Sequence, residues 1–188
     1  AAAMGLASLT AYLALTRRGA MKAGEVVLIN GASGGVGLAA VGIAKALGAK
    51  TVLAGLTTPS KADAVLAAGA DAVVDLAFDL VGGEVFDATL RAIAAEGRVV
   101  VSGFTSGTIP SVRTNYLLLK NISVVGSTVN FYIKDGSPLV GQAQKALFDL
   151  LLAGKIEPNI MNRLPFDRFL DGILMLEQRK IVGKSVLV

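Results

Sequence analysis

Gly31-Ala32-Ser33-Gly34-Gly35-Val36-Gly37 directly follows the apolar run Glu25 to Asn30 and directly precedes the helical pattern Leu38 to Leu47. Strand, glycine turn and helix in that order make a cradle for phosphate groups. Small residues let the backbone approach a pyrophosphate, and the helix N-terminus offers unpaired N–H groups at the positive end of its dipole. Taken alone, such a motif reads equally as a tight turn. The strand before it and the helix after it favour a dinucleotide site.

Working outward, six β-branched runs recur: Val26–Ile29, Thr51–Ala54, Ala72–Val74, Phe78–Val81, Arg98–Ser102 and Ile122–Val125. Most are near-continuously apolar, as strands covered on both faces by helices must be. Helical segments lie between them. Ser60 is placed to cap Lys61–Ala68 with Gly69 beyond it, and a helix from Gly83 to Ala95 ends at Gly97. This alternation predicts an α/β fold, a doubly wound parallel six-stranded sheet.

One interval breaks the rhythm. Only Asp75, Leu76 and Ala77 stand between Val74 and Phe78, and three residues reach about 10 Å, whereas a parallel crossover takes about a dozen residues or more. Either the two runs form a local antiparallel hairpin, or a crossover segment near 75–78 is missing. The second is the preferred expectation.

Beyond Val125, Ser137-Pro138 opens a helix that runs to about Ala153 with Gly154 as its stop. Pro158 to Pro165 reads as a connection, Asp167 as the cap of a last helix through Arg179, and Ser185–Val188 as a terminal strand. The expected division is 1–153, a dinucleotide-binding domain with its entering helix, and 154–188, a separate C-terminal segment.

Composition narrows the function classes. A chain of 188 residues accommodates one domain and the remnant of a second. The net charge of +4 is dispersed and aromatics make up 5%, which argues against a nucleic-acid surface. There is no cysteine and no histidine, which excludes disulfides, a Cys/His zinc site, a Cys nucleophile and a Ser-His-Asp triad within the chain. No metal site is expected, and the default compartment is the reducing cytoplasm. The apolar opening Ala1 to Thr16 is shorter than the roughly 20 residues a membrane span needs and lacks a basic leader. It reads as a buried helix, entered part-way, so that a preceding segment is expected.

Two dehydrogenase families share such a glycine turn. Gly31-x-x-x-Gly35-x-Gly37 fits the short-chain pattern, and Tyr116-Leu117-Leu118-Leu119-Lys120 supplies a Tyr-x-x-x-Lys pair. Against it, the tyrosine lies too close to the turn, no Asn-Ala-Gly element follows the fourth strand, and the first strand begins only at Val26. Read as Ala32-x-Gly34-x-x-Gly37, the turn resembles that of the medium-chain dehydrogenase/reductase superfamily, and the likeness extends through the chain. Leu9-Thr10-Ala11-Tyr12, Asp79-Leu80-Val81-Gly82-Gly83, Gly97-Arg98-Val99-Val100, Ser102-Gly103-Phe104 and Leu118-Leu119-Lys120-Asn121 fall in family order. The ending Arg179-Lys180-Ile181-Val182-Gly183-Lys184 is similar to that of the zinc-free NADPH:quinone oxidoreductase, or zeta-crystallin-like, branch.

The resemblance implies a Rossmann domain, with an N-terminal catalytic domain and the helix between the third and fourth strands both absent. It gives roles to particular positions. Backbone N–H groups of Ser33, Gly34, Gly35 and Val36 would hold the pyrophosphate, with Gly37 packing helix on strand. Gly103, Phe104 and Thr105, with Leu80 and Val81, would lie beside the nicotinamide, and Thr10 would approach it from the entering helix. Plain core packing is the alternative for Phe104 and Val81. No catalytic residue is identified.

The choice of cofactor follows from charge. Sites for NAD usually end the second strand with an acid that binds the ribose 2′-OH. No acid occurs from Thr51 to Ser60, and Gly55 takes that place. Lys61, with the hydroxyls of Thr57 and Ser60, would meet a 2′-phosphate, a charge-assisted bond of about 1.5–3 kcal/mol that favours NADPH by roughly ten- to a hundredfold. The bland alternative is that Lys61 is a solvated first-turn residue. The implied reaction is hydride transfer from NADPH to a quinone or conjugated enone, the 188 residues alone binding cofactor with little turnover. An enoyl reductase, free-standing or in a polyketide synthase, and a non-enzymatic NADPH-binding structural or sensor protein are the alternatives. The β-branched segment 121–130 would form an exposed sheet edge, which invites pairing with a second copy as a homodimer. No membrane or nucleic-acid partner is expected.

Overall fold

The apolar runs become five parallel strands, β1 (Val26–Asn30), β2 (Thr51–Gly55), β3 (Val74–Asp79), β4 (Ile93–Val101) and β5 (Ser123–Gly126). They lie in the order β2-β1-β3-β4-β5. The computed structural model describes residues 4–55, 74–178, 180–181 and 184–188. The helices among them are α1 (Leu6–Leu13), running on as a π-turn to Arg18, α2 (Gly35–Ala46), α3 (Gly83–Ala92), α4 (Thr114–Lys120), α5 (Val129–Lys134), α6 (Pro138–Leu152) and α7 (Phe169–Glu177). The doubly wound α/β architecture stands as expected, with five strands in the main sheet among the described residues rather than six.

Val74, the end of one expected strand, and Phe78 and Asp79, the start of the next, lie in a single strand, while residues 72 and 73 lie outside the described residues. Val74 to Asp79 is a continuous strand between β1 and β4, so no hairpin forms. Asp75 looked like a break, but its Oδ2 accepts the Val26 N–H at 2.8 Å, which satisfies it at the sheet's edge of entry. Leu76, Ala77 and Phe78 then carry on with no exposure at all. A trace of the interruption survives: β3 meets β1 only from Leu76, and its register against β4 slips between Val74 and Leu76.

Alternation along the strands divides the core into two. Val27, Ile29, Leu76, Phe78 and Val100 pack with Leu15, Ile43 and Leu147 of the helical layer on one face. Ala77 and Val99 pack with Phe86, Leu90, Ile93 and Ile122 on the other. Both faces are covered, which is why the strands read as unbroken apolar runs. The entering helix is buried as expected, with Ala11, Ala14 and Leu15 fully inside. At the amino ends of the strands, Arg98 Nη2 donates to both carboxylate oxygens of Glu25 at 2.6 Å, and its Nε donates to the Gly19 carbonyl at 2.6 Å.

The C-terminal part follows the sequence less closely. Pro138 opens α6, and Ser137 Oγ accepts the Leu139 N–H at 3.4 Å. The stretch Pro158 to Pro165, expected as a connection, holds a strand, β6 (Ile160–Leu164), which pairs in parallel with β7 (Lys184–Leu187) in a separate two-stranded sheet. Asp167 lies in a 3-10 turn, Phe166–Arg168, and does not cap α7.

Candidate functional site

In the strand order β2-β1-β3 the chain turns outward from β1 to β2 and comes back on β1's other side, so a crevice opens at the carboxyl end of β1. The glycine turn stands there. Gly31 has φ +74°, a conformation that side chains rarely adopt, and its N–H and that of Ala32 both donate to the Gly55 carbonyl, at 2.9 and 3.1 Å. A Cβ on Gly37 would overlap the Gly31 carbonyl oxygen and lie 2.8 Å from Ala32 Cα. The turn is therefore folded tightly on the first turn of α2. The sequence anticipated this glycine, but the close approach is to the turn itself.

Gly34 is the N-cap of α2, its N–H donating to the Gly31 carbonyl at 3.1 Å. No side chain caps the helix. The first N–H groups of a helix have no partner within it, so those of Gly35 and Val36 stay available for an anion, next to half-buried Ser33.

On the β2 side, a Cβ on Gly55 would come 2.5 Å from Asn30 Oδ1. The place where an acid would read a ribose 2′-OH cannot accept a side chain without displacing Asn30. Thr57, Ser60 and Lys61 lie outside the described residues.

On the β3 side, Leu80 and Val81 face the turn: a Cβ on Gly31 would touch Val81 Cγ2 at 3.4 Å and Leu80 Cβ at 3.6 Å. The loop after β4 is tied to them. Thr105 N–H donates to the Leu80 carbonyl at 3.0 Å, Ser106 N–H to that of Val81 at 3.1 Å, and Gly83 N–H to that of Thr108 at 3.1 Å. Leu80, Val81, Gly103, Phe104 and Thr105 thus come together as one wall, with Val81 buried and Phe104 41% exposed. Packing alone accounts for Val81; it does not account for the exposed ring of Phe104.

Beneath this wall sits Asp79, wholly buried. Burial raises its carboxyl above the usual value of 3.8, against the lowering pull of hydrogen bonds from Val81, Asn30 and Gly82.

A cleft of about 700 Å³ opens over the ends of β4 and β5, lined by Arg18, Gly103, Phe104, Thr128, Phe131 and Tyr132 among others. Sequence reasoning passed over Arg18 and the α5 residues. The signal was there in Thr128, Asn130, Phe131 and Tyr132, polar and aromatic residues shortly after a strand's carboxyl end. Thr10 is not on the cleft wall; its hydroxyl donates to the Leu6 carbonyl at 2.8 Å within its own helix.

Lys120 belongs elsewhere. Its Nζ donates to the carbonyls of Leu90, Arg91 and Ile93, at 3.3, 2.8 and 3.1 Å, and so closes the C-terminus of α3. The Tyr116-x-x-x-Lys120 pair of the short-chain pattern therefore has its lysine tied to that helix end. Among the described residues no group of His, Cys, Asp and Glu is arranged to hold a metal.

Comparison with known proteins agrees with this geometry. The family model described as zinc-binding dehydrogenase matches residues 47–187. Quinone oxidoreductase-like protein 2 of Bos taurus is 32% identical over 207 residues, covering 100% of this chain and 59% of the relative. Acryloyl-coenzyme A reductase of Sulfurisphaera tokodaii is 31% identical over 192 residues, covering 94% of the chain and 54% of that protein. The chain thus spans little more than half the length of these relatives. Among solved structures, a mycobacterial protein complexed with NADPH superposes with a TM-score of 0.79 at 27% identity, over 100% of this chain and 64% of that one. The CurK enoyl reductase does so at 0.76 and 25%, over 99% and 61%. The chain belongs to the zinc-binding dehydrogenase family of the medium-chain dehydrogenase/reductase superfamily.

Proposed function

We propose that this chain is the cofactor-binding part of an NADPH-dependent oxidoreductase acting on a quinone or a conjugated enone. The observation that carries the reading is the uncapped N-terminus of α2 behind a turn that needs glycine at 31 and 37. Bound NADPH would supply a hydride; the chain's own residues bind and orient. N–H groups of the turn and of the first turn of α2, from Ser33 to Val36, hold the pyrophosphate. Gly55 puts no acid there to repel a 2′-phosphate, and Thr57, Ser60 and Lys61 meet it. Leu80, Val81, Gly103, Phe104 and Thr105 shield the nicotinamide on one side, and the cleft toward Phe131 and Tyr132 admits the acceptor.

In this reading 1–153 form the dinucleotide-binding domain, 154–188 complete a catalytic domain contributed by a longer protein, and the cytoplasm is the compartment. The segment between the third and fourth family strands is absent near 75–78. The register slip at Asp75 supports that, as does a bovine match that spans more residues than the chain possesses. Of the segment 121–130 only β5, Ser123–Gly126, is a sheet edge, Val129 and Asn130 being helical, and it is this shorter edge that pairs two copies.

An enoyl reductase is the second reading, favoured by the acryloyl-coenzyme A reductase and enoyl reductase among the relatives and by the apolar cleft. Rates with quinones against enoyl thioesters in the longer protein separate the two. The cofactor reading is tested on the chain itself by following NADPH and NADH fluorescence on titration. The wild type binds NADPH more tightly, and Lys61→Ala lowers the preference by roughly ten- to a hundredfold. An unchanged ratio rejects Lys61, and failure to bind either cofactor rejects the site.

A further inference from the structure

Asp79 is the last residue of β3, and nothing in the chemistry so far uses it. A buried carboxylate is costly unless donors surround it. Here they do: Oδ1 accepts the Val81 N–H at 3.1 Å and Asn30 Nδ2 at 3.2 Å, while Oδ2 accepts the Gly82 N–H at 3.1 Å. Asn30 has a second hold, since its Nδ2 also donates to Thr89 Oγ1 at 3.0 Å.

The two amides that Asp79 gathers belong to a constrained turn. Gly82 has φ +73° and Gly83 φ +54°. A Cβ on Gly82 would lie 2.7 Å from the Thr108 carbonyl and 3.0 Å from Phe104 Cδ1. Residues 80–83 thus stand between the glycine turn and the loop that carries Phe104, and Asp79 bends the chain into that place. Two N–H groups and an amide donor converge on it, so an acceptor-only side chain is required. Asparagine would turn an NH₂ toward one of the donors.

The glycine turn has its own supports, the Gly55 carbonyl and the contact at Gly37. We propose that Asp79 is a positioning residue for the nicotinamide half of the crevice, one the adenosine half does not need. The proposal rests on the cofactor reading above and adds a division of labour within it.

The test compares two ligands on the 188-residue chain: NADPH, and 2′,5′-ADP, which has the adenosine half and no nicotinamide. Asp79→Asn weakens NADPH by about tenfold and leaves 2′,5′-ADP within about twofold; Asp79→Leu weakens NADPH further with the same indifference to 2′,5′-ADP. Equal losses for the two ligands, or no loss for either, overturn the proposal. Should the variants not fold, amide spectra of the wild type decide. The Val81 and Gly82 resonances follow the titration of the Asp79 carboxyl carbon, and NADPH moves them while 2′,5′-ADP does not. Resonances that ignore that titration, or that respond alike to both ligands, overturn it. A wild type that binds neither ligand rejects the cofactor reading itself, and this proposal with it.

Discussion

A Cβ on Gly55 has nowhere to go, with Asn30 Oδ1 2.5 Å from its position. Installing the acid that would read a ribose 2′-OH therefore does not convert the site. Gly55→Asp is expected to destabilise the chain by about 1–3 kcal/mol through overpacking without gaining NADH affinity, as a urea midpoint and an NADH titration will report. Asp79 carries a pH signature. Its carboxyl is raised by burial, so between the unfolded value, about 3.9, and the raised folded value the native state binds more protons than the unfolded one. Stability falls as pH rises through that window, and the penalty is fully present above it and absent below it. Urea midpoints of the wild type and Asp79→Asn, taken from acid to neutral pH, should show the wild type losing stability relative to the variant across that interval and no further above it.

Among the elements, α3 shows how a side chain from one piece finishes another. Lys120, at the end of α4, brings a second positive charge, besides Arg91, to the carbonyl end of α3 and donates to three of its carbonyls. Lys120→Met is expected to cost about 1 kcal/mol, seen as a fall in Tm of a few degrees, with NADPH affinity unchanged. A loss of affinity instead would return weight to the Tyr116-Lys120 pair. The elements legible in the sequence were those whose cause is local. The turn before α2, the Pro138 start of α6 and the apolar strands β1 and β2 carry their reasons in neighbouring residues. β3 was divided because Asp75 is polar, and its partner, the Val26 N–H, is 49 positions away. β6 was missed because a half-exposed strand with Asn162 and Arg163 in it, bounded by Pro158 and Pro165, has no pattern until β7 pairs with it. In the site, the glycines and the wall at 80–81 and 103–105 were readable as motifs. Asp79 and Arg18 were not singled out, since a buried carboxylate and an arginine over a cleft are defined by what surrounds them in space.

The whole molecule is held from both ends of its sheet. Glycines and Asp79 organise the carboxyl ends, while Arg98, Glu25 and Asp75 tie the amino ends. The centre is Phe78, fully buried in the middle strand. Phe78→Ala should remove about 3–5 kcal/mol, a large share of the roughly 5–15 kcal/mol that keeps a domain folded, and the cooperative urea transition should shift sharply or disappear. The slip in register at Asp75 separates two kinds of structure. From Leu76 onward the strand is hub: it pairs on both sides, fills the core and ends at Asp79. On the other side of the slip Val74 pairs with Ile93 alone and is buried in the second core. A flexible insert between Val74 and Asp75 is expected to cost that one pairing and contact, plus loop entropy that grows only slowly with length. The architecture thus permits change in length at one seam while the crevice keeps its shape, a tolerance that lies in topology rather than in any single contact.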